Sequence, residues 1–186
     1  MNREFLNHLL SKIAQSRYIN LFFKDIELNN KLPIQALVPE IHRSYYGNIF
    51  VDVDIRVFNA CKNESQEAVT LLQIINNNPS ARENNISITD AISITDTLDR
   101  LNITLGSPGL IVFHCFEDNC SEREKDTLRA IRRFLNVLKI EENIPRLLGV
   151  LIISKDRIDR WELFPESNLD GRYVLFSQAF KSELYT

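Results

Sequence analysis

The sequence predicts a three-layer α/β domain, a mostly parallel sheet flanked by helices. Three observations in one stretch predict it. Residues 110–116, Leu-Ile-Val-Phe-His-Cys-Phe, form a continuous apolar run of strand length, as expected of a central strand covered on both faces. Residues 122–139 then repeat apolar side chains at helical spacing, with Leu128, Ile131, Leu135 and Leu138 along one stripe. A second apolar run at 147–153 follows Pro145. Strand, helix and strand of these lengths make a βαβ unit, whose two strands are parallel. No shift in composition marks a boundary, so residues 1–186 are read as one domain, an N-terminal part at 1–47 leading into a core at 48–180.

The remaining elements follow in chain order. Phe5, Leu6, Leu9, Leu10 and Ile13 give a helical stripe over 3–14. Residues 18–23 are short, apolar and aromatic and read as a strand; residues 29–31 read as a turn. Residues 32–38 read as a further strand, interrupted by Pro33. The clearest alternation covers 48–58, with Ile49, Val51, Val53, Ile55 and Val57 on one face and Phe50, Asp52, Asp54, Arg56 and Phe58 on the other. A helix is predicted over 64–75, with Ala68, Leu71, Leu72 and Ile75 inward, ending at Asn76-Asn77-Asn78-Pro79. Residues 80–85 are polar and read as a loop, and a helix follows through Leu101. Gly106-Ser107-Pro108-Gly109 is the strongest break in the chain. Ser121 and Glu124 form a Ser-x-x-Glu capping box that opens the 122–139 helix. A last strand is expected over 173–176.

Composition narrows the possible roles. The chain has 44% apolar and 25% charged residues, ordinary for a soluble globular protein. Nothing approaches the roughly 18 consecutive apolar residues of a membrane span. The start of the chain has no apolar segment of the signal-peptide kind, and Cys61, Cys115 and Cys120 form no paired framework; a reduced, cytoplasmic setting is expected. Net charge is −3, which argues against a protein that coats nucleic acid while leaving room for a local basic patch.

Six constellations bear on chemistry. A phosphate loop needs glycines that turn backbone N–H groups onto phosphate and a lysine to neutralise it. The first glycine is Gly47, and Val38-Pro39-Glu40, near where a nucleotide-binding turn is expected, offers a carboxylate instead. Asp52 and Asp54 lie two apart on a strand, so both carboxylates project from one face with backbones roughly 6.5–7 Å apart. With Glu117 or Asp118 they make a candidate metal set, set against a plain polar face balanced by Arg56. His114 and Cys115 point to opposite faces of a strand and so make no nucleophile pair. Cys120, at a helix start, has no partnering pair with which to build a zinc site. Arg129, Arg132 and Arg133 lie on one face of the 123–139 helix and are candidates for an acidic partner or nucleic acid; no stacking aromatics are interleaved with them. Finally, the 161–174 segment mixes large apolar groups with charge beyond a strand end, where open α/β sheets bind ligands and partners. Trp161, Phe164, Glu166, Arg172 and Tyr173 are its candidate contact residues.

The run 110–116, the helix at 122–139 and Leu147-Leu148-Gly149-Val150-Leu151-Ile152-Ile153-Ser154-Lys155-Asp156 together resemble the second half of a STAND-type P-loop ATPase domain. In that family one apolar strand ends in paired acids that hold magnesium and a later one in a Thr/Ser-rich sensor turn. Here His114-Cys115 stand where the acids belong, Ser154-Lys155-Asp156 loosely resembles the sensor turn, and the phosphate loop is missing. With Leu-Phe-Pro-Glu-Ser-x-Leu-Asp-x-Arg-Tyr-Val at 163–174, the pattern is similar to inactivated STAND-like domains of bacterial conflict and defence proteins. The resemblance implies a P-loop-ATPase-like scaffold without a phosphate loop, no cofactor, and a non-catalytic adaptor or sensor that binds a protein partner through 161–174 and the basic helix. The alternatives from the residues are a divergent nucleotide hydrolase or metal-dependent phosphoesterase using Asp52 and Asp54, and a nucleic-acid-binding module using the 123–139 helix.

Overall fold

The computed structural model describes residue 7 and residues 18–22, 37–115, 121–140, 147–154 and 173–175. Among them, five parallel strands form one sheet: β1 (Tyr18–Phe22), β2 (Ile49–Asp54), β3 (Gly109–Cys115), β4 (Leu148–Ser154) and β5 (Tyr173–Leu175). Their spatial order is β2-β3-β4-β1-β5. Five helices accompany them: α1 (Leu37–Ser44), α2 (Glu64–Asn77), α3 (Pro79–Glu83), α4 (Ile94–Thr104) and α5 (Glu122–Ile140). A 3-10 helix, Ile55–Ala60, continues β2. The α/β class expected from the sequence is the class observed.

Alternation along the strands divides the core in two. Val51, Ile111 and Val150 are register partners across three strands, and so are Val53, Phe113 and Ile152. These side chains join Leu71 and Ile75 of α2, Leu98 and Leu101 of α4, and Leu128 and Ile131 of α5 in one buried cluster. Each fully buried aliphatic or aromatic side chain of this kind contributes roughly 1.5–3 kcal/mol. The opposite face carries Phe50, Leu110, Val112 and Leu151, all buried. There α1 lies on the sheet, with the His42 ring stacked on Phe50 at 4.3 Å between centroids and 3° between planes. With helices on both faces, β3 is buried at every position, as its unbroken apolar run requires.

The helices stop and start where side chains satisfy their open ends. Asn63 accepts the Gln66 N–H at the head of α2, and Ser93 accepts the Asp96 N–H at the head of α4. The predicted capping box of α5 is formed in both directions: Glu124 N–H to Ser121 Oγ at 3.1 Å and Ser121 N–H to Glu124 Oε2 at 3.0 Å.

Three expectations are corrected. The strand predicted over 48–58 ends at Asp54, because the Asp54 carboxylate turns back to accept the Arg56 N–H and caps a 3-10 helix. Phe58 is consequently buried, whereas Val57, expected inward, is 40% exposed. The loop predicted over 80–85 contains α3, with Asn78 as its cap and Pro79 in its first turn. Within the strand expected over 32–38, Leu37 and Val38 are helical and begin α1; the rest of that segment lies outside the described residues, as do the turn at 29–31 and, residue 7 aside, the 3–14 helix.

The element that was not expected has a defined task. Among the described strands β2 lies at an edge, where backbone groups not bonded to β3 can pair further. Ser80 Oγ of α3 accepts the Phe50 N–H at 3.0 Å, and its own proton has Asn78 Oδ1 at 2.5 Å and the Phe50 carbonyl at 3.1 Å within reach. Asn84 Nδ2 donates to the Asn48 carbonyl at 3.2 Å. One end of this edge is therefore closed by side chains of the following turn.

Candidate functional site

Ligands of open parallel sheets bind beyond the carboxyl ends of the strands. Two polar clusters occupy the carboxyl ends of β2 and β3, one on each face of the sheet.

The first cluster is Asp52, Asp54, Arg56 and His114. Strand alternation places both aspartates on the α1 side, as the sequence predicts, and there they take different partners. His114 Nε2 is 2.5 Å from Asp52 Oδ1, which as a carboxylate oxygen can only accept. His114 is nearly enclosed, with 11% of its side chain exposed, while Asp52 is 48% exposed. Asp54 is gripped by Arg56, with Nη2 to Oδ2 at 2.6 Å and Nε to both oxygens at 3.0–3.1 Å. Burial pushes the Asp54 carboxyl upward, but the hydrogen bonds and charge of Arg56 outweigh it and hold the group below its ordinary value. The two carboxylates weighed as candidate metal ligands are thus engaged by a histidine and an arginine, Asp54 by the Arg56 expected to balance the polar face. Among the described residues no group of three or more His, Cys, Asp or Glu side chains could hold a metal ion; Glu117, Asp118 and Cys120 lie outside them.

The second cluster lies on the opposite face. Glu124 of α5 is buried at 3% exposure. Its carboxylate accepts the Ser121 N–H, Asn59 Nδ2 at 2.9 Å and the Cys115 thiol at 3.5 Å. Burial raises the Glu124 carboxyl, and the donors from Asn59, Ser121 and Cys115 more than reverse that, leaving it below its usual range. One side chain thereby fastens the end of β3, the 3-10 helix and the start of α5 together. Beside it, Arg123 donates through Nε to the Phe58 carbonyl at 3.1 Å and through Nη2 to Glu67 of α2 at 3.3 Å. Glu67 has a raised pKa: its partial burial outweighs the attraction of Arg123, and Glu64 adds repulsion. Arg123 and Glu67 help line a cleft of about 400 Å³ between α2, α4 and α5, together with Glu64, Thr95, Asp126 and Thr127.

On the predicted cationic face of α5, Arg129 is paired with Asp126 at 2.8 Å and its side chain is only 21% exposed. Lys125 lies 3.5 Å from Glu122. Arg132 and Arg133 are placed on α5, but their side chains lie outside the described set. Trp161, Phe164, Glu166 and Arg172 also lie outside it; Tyr173 opens β5, paired in register with Asn20 of β1.

Sequence reasoning found Asp52, Asp54, His114, Ser121 and Glu124 but missed Asn59, Glu67 and the bond from Arg123 to Phe58. The Ser-x-x-Glu spacing pointed to Glu124 as a cap; nothing local pointed to Asn59, which is 65 residues away. Compared with known proteins, the chain matches no family model and no curated protein. No helix among the described residues is long and apolar enough to cross a membrane.

Proposed function

We propose that this chain is a non-catalytic adaptor or sensor domain on a P-loop-ATPase-like scaffold, acting through protein contacts in a bacterial defence or signalling system. One observation carries the reading. At the carboxyl end of β3, where the resemblance puts the magnesium-binding acids, His114 and Cys115 are each engaged inside the domain, by Asp52 and by Glu124. The neighbouring carboxylate Asp54 is likewise held by Arg56. On this reading, these internal partners serve the stability of this end of the sheet.

The strand order supports the scaffold part of the reading. From β1 the chain runs to the far edge of the sheet at β2, then returns through β3 and β4, so connections from the neighbours β1 and β4 leave in opposite directions. Such a reversal is where nucleotides bind in related architectures. An inactive descendant would keep that topology without the phosphate-cradling glycines. Partner contact is assigned to the 161–174 segment, with Trp161, Phe164, Glu166, Arg172 and Tyr173, and to α5 with Arg129, Arg132 and Arg133. Its last two residues, Tyr173 and Val174, belong to β5, which among the described strands lies at the end of the sheet away from β2.

The test is thermal unfolding with and without millimolar ATP or GTP plus magnesium. No shift is expected. A nucleotide present at about 100 times its dissociation constant would add roughly 2.7 kcal/mol, and a rise of that size overturns the reading.

A further inference from the structure

We draw no further inference here: the strongest candidate, the cleft of about 400 Å³ between α2, α4 and the first turns of α5, carries nothing because its one lining cation, Arg123, is paired with Glu67 and its Asp126 with Arg129, and nothing in the structure shows what fills it.

Discussion

His114 and Cys115 are consecutive in the chain and face opposite sides of the sheet, so each ties the end of β3 to a different layer. His114 meets Asp52 on the α1 side, and Cys115 meets Glu124 on the side of α5. The two contacts differ in character. The first joins neighbouring strands near solvent, and the second closes a buried carboxylate. Their disruption therefore has different consequences.

Glu124→Ala removes the common acceptor of Asn59, Ser121 and Cys115; Asn59 and the Ser121 N–H turn to solvent, and the buried Cys115 thiol loses that acceptor. A loss of about 1–3 kcal/mol is expected in urea unfolding. Glu124→Gln keeps one acceptor oxygen and should retain part of that. A Glu124→Ala midpoint equal to that of the wild type would contradict the clamp.

Acid should weaken the fold through the same group. Glu124 and Asp54 both have folded-state pKa values held below the ordinary carboxylate range. Their contribution is present above the unfolded values and is lost as pH falls through the depressed folded ones. Glu67 has the opposite sign: its raised value makes ionisation costly in the folded state, a cost relieved on acidification. Melting temperature should fall as pH drops below about 4, the ordinary range of carboxylates. In Glu124→Gln this acid limb should be shallower, and an unchanged slope would remove Glu124 from the explanation.

Asp54 has two tasks that substitution can separate. Asp54→Ala loses the cap of the 3-10 helix, worth about 1 kcal/mol, together with its pairing to Arg56. Asp54→Asn can still accept the Arg56 N–H and should lose less, since an ion pair this exposed contributes about 0–1 kcal/mol. Equal loss in the two variants would place the stabilisation in the charge rather than in the cap. Chemical denaturation of both, with Arg56→Ala as a third arm, reads the difference.

Ser80→Ala should expose the Phe50 N–H at the sheet edge. A stability loss of about 1 kcal/mol is expected, with greater self-association on partial heating, measured by light scattering. If Ser80→Ala associates no faster than wild type, the edge is protected by something other than this hydroxyl.

The parts of the fold legible in the sequence were those governed by neighbours in the chain. β3, α5 and β4 are announced by unbroken apolar runs and by a capping box within four residues. The 3-10 helix was hidden because apolar alternation continues through residue 58 while Asp54 redirects the backbone. α3, at five residues, is too short to show periodicity; its signal was Asn78 followed by Pro79, a cap and a first-turn proline that could have been read as a start as well as a stop. At the candidate site the same division holds. The spacing of Ser121 and Glu124 is local and visible, whereas the meeting of Glu124 with Asn59 and of Arg123 with Phe58 depends on how β2 and β3 lie side by side.

Asn102, buried near the end of α4, accepts the N–H groups of both Leu147 and Leu148 at 3.1 Å through a single side-chain oxygen. β4 is a mostly apolar strand between β3 and β1. A slip of one residue would exchange Val150 and Ile152 for Gly149 and Leu151 against the larger core. A paired anchor at Leu147 and Leu148, where the strand begins, favours the observed alignment over a slipped one. Asn102 is thus a register peg: it couples the end of α4 to the frame in which a strand 45 residues later lies in the sheet.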